Sequence, residues 1–374
     1  MKPIDEFVRQ MMASAERVRA GDPGAATDVI QRALQQAGLM RPAAAGDDTP
    51  TIIDINPAPG ATQAPPRPKV RPRAPMAGAR PGWKRQPQAP ADLGPGRFID
   101  GSFACAEGRR RYKLYVPAAA AQGPRALVVM LHGCTQNAAD FAAGTAMNGV
   151  AEEHGCLVLY PEQDRSANHS GCWNWFEPAQ QRRGRGEPEI IAAMTRQLIA
   201  EHGADPGRVY AAGLSAGGAM AAILGAEYPD LFAAVGIHSG LAAGSGKDMI
   251  SGLHAMKHPT AAAPAGQGVP VIVFHGDGDH VVHPGNGDAV LRQFTGAHAP
   301  GALSEERLGG KAGGRRYTRS SWRNGEGRCM AEHWVVHGAA HAWAGGNPAG
   351  SHTDAGGPCA SREMLSFFLA HRLG

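Results

Sequence analysis

Residues 209–218 read VYAAGLSAGG, a short apolar run that leads directly into a Gly-x-Ser-x-Gly motif. The small and apolar residues that follow, up to Tyr228, predict a helix. A serine between a buried strand and a helix lies on a tight, strained turn, and its flanking glycines let two backbones approach where a Cβ would clash. This context is that of a nucleophile elbow, and it predicts that Ser215 is a catalytic nucleophile.

Further strands and helices alternate on both sides of this stretch. Short apolar runs predict buried strands at residues 126–131, 157–160, 209–212, 234–238, 271–275 and 333–337. Helices are predicted at residues 187–202, 216–228, 288–294 and 361–373. Continuous apolar strands separated by helices are typical of a mostly parallel sheet that helices cover on both faces. With the elbow inside it, this pattern predicts an α/β-hydrolase fold over residues 97–374.

The elbow requires a carboxylate on a loop that follows a later strand. The predicted strand at 271–275 runs into a loop that contains both Asp277 and Asp279. Asp279 is favoured, because Val281 and Val282 can pack and fix the loop behind it. Asp277 follows the strand so closely that a turn-capping role suits it better. We therefore predict Asp279 as the acid that orients the catalytic histidine.

The histidine is expected on a loop after the last strand. His341 lies on such a loop, among small residues, and is predicted to take the proton of Ser215 and to return it to the leaving alcohol. His333 and His337 lie within the last predicted strand, where an i, i+4 pair would not converge on a metal as it would on a helix. No metal ion and no other cofactor is predicted.

Two main-chain N–H groups are needed to stabilise the negatively charged oxygen of the tetrahedral intermediate. One should come from Ala216, the residue after the nucleophile, and the other from the loop at 132–136, which follows the predicted strand at 126–131. Cys134 is the expected donor in that loop. Its thiol is a weaker candidate for the nucleophile, since no histidine is placed for it as His341 is for Ser215.

The first 96 residues lack the alternation of strands and helices that residues 97–374 show. Apolar stripes at residues 4–18 and 26–37 predict a helical hairpin over residues 1–40. Two short helices cannot bury both stripes, so we expect the hairpin to dock on its own catalytic domain, on a second copy in a homodimer, or on a hydrophobic surface. Residues 41–96 are rich in proline, alanine and basic residues and predict a disordered linker.

The composition argues against several classes of protein. The formal net charge is +4, and much of the excess lies in the linker, so no basic face for a nucleic acid is expected. No stretch approaches the roughly 18 uninterrupted apolar residues of a membrane span. The first residues lack the apolar core of an export signal, which favours a cytoplasmic location, with an extracellular or periplasmic one by an unrecognised route as the alternative. The six cysteines leave the compartment open.

Several segments together resemble the polyhydroxybutyrate depolymerase family of esterases. They are residues 132–136 (HGCTQ), 160–163 (YPEQ), 172–176 (CWNWF), 213–218 (GLSAGG), 275–279 (HGDGD) and 341–343 (HAW). The resemblance covers residues 97–374 and implies hydrolysis of poly(3-hydroxyalkanoate) esters or their oligomers. It places the family's triad on Ser215, Asp279 and His341. The chain is more similar to leaderless, intracellular members, which favours amorphous granules or soluble oligomers as substrates.

Three tryptophans are candidates for substrate contact. An ester of a hydroxy acid presents methyl groups and carbonyls without charge, so flat apolar walls suit it. Trp343 is favoured for this role because it lies close to His341 in sequence. Trp173 and Trp175 are assigned equally to a substrate wall and to the core, where they would pin a long loop.

Two pairs of cysteines are candidates for disulfide bonds. A bond between Cys134 and Cys172 would tie the loop of Trp173 and Trp175 to the loop at 132–136, which we call the oxyanion loop. Cys329 with Cys359 is a second candidate pair. The sequence leaves the connectivity open.

Three functions remain as hypotheses. The first is hydrolysis of polyhydroxyalkanoate or its oligomers by a serine esterase, with the hairpin of residues 1–40 in contact with a polymer granule. The second is a carbohydrate esterase that releases feruloyl or acetyl groups. The third is a granule-binding protein that uses the hydrolase fold as a scaffold. The triad argues against the scaffold, which has no need of three catalytic residues on the correct loops.

Overall fold

We describe the protein from a computed structural model of its 374 residues. The structure describes residues 94–119, 123–260, 263, 265, 268–299 and 301–374. The predicted hairpin (1–40) and most of the predicted linker (41–96) lie outside these residues, so both stay predictions. Within the described ranges, no helix combines the length and the hydropathy that crossing a bilayer requires.

The described residues form a sheet of ten strands. They are β1 Arg97–Cys105, β2 Gly108–Val116, β3 Arg125–Leu131, β4 Leu157–Glu162, β5 Ala204–Leu214, β6 Ala234–His238, β7 Val271–Gly276, β8 Ser304–Ala312, β9 Arg315–Arg323 and β10 Cys329–Val336. Their order across the sheet is β1-β2-β4-β3-β5-β6-β7-β10-β9-β8. The six central strands are parallel, and antiparallel hairpins extend both edges. Two short strands, β11 Trp343–Ala344 and β12 Thr353–Asp354, pair separately.

Helices cover both faces of the sheet. Those in the described part are α1 Ala138–Thr145, α2 Met147–His154, α3 Gly186–His202, α4 Ala216–Glu227, α5 Met249–Lys257, α6 Gly285–Thr295 and α7 Ala360–Leu369. Successive side chains of a strand point to opposite faces, so Leu127 and Val129 of β3 pack with α3 to α6, whereas Val128 and Met130 pack with α1, α2 and α7. The predicted α/β-hydrolase architecture is thus confirmed.

The central elements were predicted more closely than the edges. The predicted strand at 234–238 has the bounds of β6, and the predicted helix at 187–202 begins one residue late. The last parallel strand, β10, ends at Val336, so His337 lies just outside it rather than within it. Helix α7 ends at Leu369 instead of residue 373, because the chain turns there and Leu373 N–H donates to Gly207 O at 2.9 Å.

Candidate active site

The nucleophile elbow is formed as the sequence predicts. Ser215 joins β5 to α4 with φ 57° and ψ −118°, a region that side chains with a Cβ rarely adopt. A Cβ on Gly217 would lie 2.0 Å from Leu131 O, and a Cβ on Gly213 would lie 2.3 Å from the carbonyl carbon of Gly217. Only glycine fits at these two positions, so the motif glycines permit the close packing of the elbow on β3.

Asp279 and His341 are hydrogen-bonded to each other. The distance from Asp279 Oδ2 to His341 Nδ1 is 2.7 Å, and Asp279 Oδ1 accepts from the main-chain N–H groups of Val281 and Val282 at 2.8 and 2.9 Å. Burial alone would raise the pKa of Asp279, but the hydrogen bonds from His275 and His341 outweigh it, and the pKa lies well below its usual range. An ionised carboxylate therefore occupies Nδ1 of His341, and Nε2 is the ring nitrogen that can accept a proton.

The competing carboxylate has different partners. Asp277 Oδ2 lies 2.8 Å from His337 Nδ1, and Asp277 Oδ1 accepts from the N–H of Gly338 at 2.6 Å. The structure thus pairs His341 with Asp279 and gives Asp277 the turn-capping role that its place next to the strand predicts. The expected reason was partly wrong, because Val281 is 43% exposed and supports Asp279 through its N–H rather than by packing.

His238 links the elbow to the loop of the catalytic histidine, and sequence reasoning missed it. Its main-chain oxygen accepts from Ser215 N–H at 2.9 Å, and its Nε2 accepts from Ala344 N–H at 3.0 Å. Burial lowers the pKa of His238 to about 3, so the ring is neutral and Nε2 remains an acceptor. The two loops that carry Ser215 and His341 are therefore held by one residue at the end of β6.

The loop after β3 lies against the elbow. A Cβ on Gly133 would be 3.6 Å from the Cβ of Ser215, and Gly133 N–H donates to the side-chain oxygen of Gln136 at 2.9 Å. The main-chain N–H groups of Cys134 and Ala216 make no hydrogen bond to another described residue. Cys134 on its loop and Ala216 at the start of α4 thus each have an unused N–H, and their role as oxyanion donors stays a prediction.

Of the two candidate disulfides, one is formed. Cys134 is bonded to Cys172, so the oxyanion loop is tied to the loop that carries the tryptophan pair. The pairing of Cys329 with Cys359 is wrong, since both are free thiols. Cys329 Sγ instead faces Ala331 O at 3.4 Å, and burial raises the pKa of its thiol to about 11.

A buried polar network supports the oxyanion loop from behind. His132 Nδ1 donates to Gly133 O at 2.8 Å, and its Nε2 accepts from Gln163 N–H at 3.1 Å. Glu187 accepts from the main-chain N–H of Asn174 at 2.7 Å, and its carboxylate also contacts the Gln163 side chain. These residues are buried and hold the loop of residues 163–174 in place. The signal in the sequence was a charged residue, Glu187, on the apolar face of α3.

The tryptophans are core residues rather than an exposed wall. Trp173 is 0% exposed and packs on the His132 ring. Trp343 is 1% exposed, stacks on His238, and donates its indole N–H to Ser361 Oγ at 3.0 Å. The prediction of a substrate wall is therefore wrong for Trp173 and Trp343, because neither presents a ring face to a substrate. Trp175 is 6% exposed, and its contact with substrate stays a prediction.

The described residues contain no group of three histidine, cysteine, aspartate or glutamate side chains that could hold a metal ion. The site brings together groups that can act directly on a substrate. They are a serine on a strained turn, a histidine held by an ionised carboxylate, and two unused N–H groups. These are the parts of a nucleophilic acyl-transfer centre.

Comparisons with known proteins agree with this geometry. The sequence model of a family described as Esterase PHB depolymerase matches residues 110–303. The chain is 32% identical over 229 residues to poly(3-hydroxyalkanoate) depolymerase C of Paucimonas lemoignei, covering 58% of this chain and 54% of the relative. It is 38% identical over 133 residues to feruloyl esterase B of Neurospora crassa, covering 35% and 44%. The chain thus spans about half the length of these curated relatives or less.

A solved structure supports the fold. The acetyl xylan esterase from Aspergillus awamori superimposes with a TM-score of 0.55 at 22% sequence identity, covering 70% of this chain and 94% of that protein. At this level of identity the similarity concerns the architecture, and the function must be argued from the site.

Proposed function

The chain belongs to the PHB depolymerase family of esterases, and from this premise we propose that it is a serine esterase that hydrolyses poly(3-hydroxyalkanoate) or its oligomers. The observation that carries the proposal is the 2.7 Å hydrogen bond between Asp279 and His341, at the same edge of the sheet as the elbow of Ser215. Ester hydrolysis through an acyl-serine intermediate uses this combination of nucleophile, base and orienting carboxylate.

The reaction follows from the roles of these groups. His341 Nε2 takes the proton of Ser215 as Oγ attacks the ester carbonyl carbon, and ionised Asp279 stabilises the imidazolium that forms. The N–H groups of Ala216 and Cys134 stabilise the negatively charged oxygen of the tetrahedral intermediate. His341 then gives its proton to the leaving alcohol, which leaves an acyl group on Ser215. Water then attacks the acyl carbon while His341 Nε2 takes its proton, and His341 returns that proton to Ser215 Oγ as the bond to the hydroxy acid breaks.

An exposed apolar surface next to the site supports a polyester substrate. Met249, Ile250 and Leu253 of α5 are 61%, 62% and 59% exposed. The other end of α5 contacts the loop of the triad acid, since the N–H of His283 donates to Met256 O at 2.7 Å. Exposed Val281 lies on that same loop. Exposed apolar side chains suit an aliphatic, uncharged polymer better than a polysaccharide, which offers hydroxyl groups for hydrogen bonds.

The proposed substrate class can be tested with the purified protein. We expect release of 3-hydroxybutyrate or its oligomers from amorphous poly(3-hydroxybutyrate) granules, and slower or no release of acetate from acetylated xylan and of ferulate from methyl ferulate. The released acids would be quantified by liquid chromatography under one set of conditions. Activity confined to xylan or ferulate would contradict the polyester proposal and would favour the carbohydrate esterase.

Polar substitutions on α5 should slow the hydrolysis of polymer granules without slowing the hydrolysis of a soluble ester. We expect the double change Ile250→Ser and Leu253→Ser to lower the rate on granules roughly tenfold or more, because each lost apolar contact is worth about 1–2 kcal/mol. The rate on p-nitrophenyl butyrate should stay the same, because neither side chain belongs to the triad. Both side chains are already exposed, so the loss of stability should be small.

Leu308 offers a matched control for this pair. It is 44% exposed, similar to the residues on α5, but it lies in the edge strand β8. Leu308→Ser should leave the rate on granules unchanged. If it slowed polymer hydrolysis as much as the change on α5, general surface hydropathy would explain both effects and the role of α5 would be refuted.

The hairpin of residues 1–40 and the location of the protein complete the proposed function. We propose the hairpin of residues 1–40 as an additional contact with the granule, reached through the linker of residues 41–96, with a homodimer as the alternative use of its apolar stripes. The bond between Cys134 and Cys172 favours an oxidising compartment, so the extracellular or periplasmic location is proposed alongside the cytoplasmic one.

A further inference from the structure

Two histidines behind the triad acid each have a buried ring nitrogen that makes no hydrogen bond to another described residue. They are His275 Nδ1 in β7 and His333 Nε2 in β10. The two strands are adjacent and parallel. A Cβ built on Gly287 of α6 would lie 3.2 Å from His275 Nδ1 and 3.0 Å from His333 Nε2. Both nitrogens therefore face the same side of Gly287, where a Cβ would be in unusually close contact with both rings.

The other nitrogen of each ring determines where its proton lies. His275 Nε2 is 3.0 Å from Val282 O, and because a carbonyl only accepts, Nε2 carries the proton and Nδ1 is an acceptor. His333 Nδ1 faces Asp288 Oδ1 at 3.6 Å, so the proton of this ring is favoured on Nδ1 and Nε2 is an acceptor. Burial also lowers the pKa of His333 to about 4, which keeps the ring neutral. Two acceptors thus face Gly287, and neither accepts a hydrogen bond from another described residue.

We propose that a single water molecule is bound between His275 Nδ1 and His333 Nε2, donating one hydrogen to each, and that His275 thereby acts as a positioning residue for the triad acid. Water is the smallest group that can donate to two acceptors at once, and buried polar groups are normally satisfied in this way. An accepting Nδ1 keeps the proton of His275 on Nε2. This fixes the tautomer that can donate toward the loop of the triad acid.

The connection to catalysis passes through Asp279 and rests on the proposed esterase function. His275 Nε2 lies 3.5 Å from Asp279 Oδ2, the oxygen that accepts from His341 Nδ1. A second N–H near this oxygen stabilises the carboxylate and makes it less basic. Removing it should make the Asp279 carboxylate more basic and strengthen its attraction for the imidazolium. Other titratable groups lie nearby: His238 interacts with His275, His341 and Asp279, whereas Asp288 and Arg307 interact with His333.

Variants of His275 test the positioning role. We expect His275→Leu to lower kcat for p-nitrophenyl butyrate by about 10- to 100-fold, the range found for residues that orient a catalytic group, with KM changed less than about twofold. The acidic midpoint of the kcat/KM profile should move to higher pH. His275→Gln keeps an N–H near the place of Nε2 and should restore most of kcat and the original midpoint.

These outcomes separate positioning from mere stability. A His275→Leu protein that melts lower but keeps its kcat and midpoint would overturn the proposal, as would a glutamine variant no better than leucine. His333→Leu should shift the midpoint in the same direction by a smaller amount, because it removes only the partner of the water. Failure of the esterase function itself would appear differently, as a wild-type protein without activity on any ester.

The water and the tautomer can be observed without any activity measurement. In ring ¹⁵N spectra of the wild-type protein, we expect His275 to show a protonated Nε2 and a bare Nδ1, with its signals assigned by their loss in His275→Gln. A crystal structure should show one solvent peak within hydrogen-bond distance of both nitrogens. A proton on Nδ1, a direct contact between the two rings, or a dry gap would overturn the proposal.

Discussion

Ser215→Ala is expected to lower ester hydrolysis by about 10⁵-fold or more while the protein keeps its fold. The change removes the one oxygen that forms the bond to the acyl group, so the acyl-enzyme cannot form. It removes no core volume, and alanine has the same Cβ on the strained turn at φ 57°. Turnover of p-nitrophenyl butyrate measures the loss, and circular dichroism with thermal melting measures the fold.

Ser239 provides a matched control for this prediction. It also follows a central strand, is buried, and has a positive φ of 49°. Its hydroxyl contacts His238 Nδ1 at 3.2 Å, a bond worth about 1 kcal/mol, so Ser239→Ala should cost less than about tenfold in rate. Near-normal turnover in a folded Ser215→Ala protein would refute the central assignment.

A phosphonofluoridate gives independent evidence for the same residue. We expect the wild-type protein to lose activity in proportion to labelling, with the adduct on Ser215. Cys134 was the weaker alternative, and in the structure its sulfur is bonded to Cys172 and offers no thiolate. A label mapped to Cys134 would contradict both the nucleophile and the disulfide.

The sequence determines the centre of this fold well because the physical causes there are local. A strand buried on both faces must be continuously apolar, and the runs at residues 126–131, 234–238 and 271–275 all became central strands. The elbow was predictable because its signal, a serine between two glycines after an apolar run, lies within a few residues, although the contact that requires glycine at 217 is with Leu131 O. Loops that follow parallel strands lie at one edge of the sheet, and Ser215, Asp279 and His341 all lie on that edge.

The edges of the sheet and the surroundings of the site depend on distant partners. Strand β8 reads SEERLGGKA, is largely exposed, and forms through main-chain pairing with β9, so it has no apolar run to reveal it. The place of Trp343 beside His341 suggested a substrate contact, but its ring lies on His238, more than a hundred residues earlier. The facing nitrogens of His275 and His333 depend in the same way on the register of two strands that are far apart in sequence.

The second large effect on the rate is expected at Asp279, and Asp277 serves as its comparison. Asp279→Asn should lower kcat by about 10³- to 10⁴-fold, because an amide can donate to His341 Nδ1 and so favours the wrong tautomer of the base. Asp277→Asn should cost less than about tenfold, since Asp277 contacts His337 and the N–H of Gly338 instead. Both rates would be measured on a soluble ester at pH 7 to 8.

Charge alone does not distinguish these residues, and that makes the comparison decisive. The pKa of each carboxyl lies below its usual range, because hydrogen bonds to histidine and to the main chain outweigh the effect of burial. Both are therefore ionised at neutral pH, and each substitution removes one negative charge from the same loop. A larger loss at Asp277 would show that the wrong carboxylate had been chosen, and equal losses would mean that the field of the loop matters more than the 2.7 Å contact with His341.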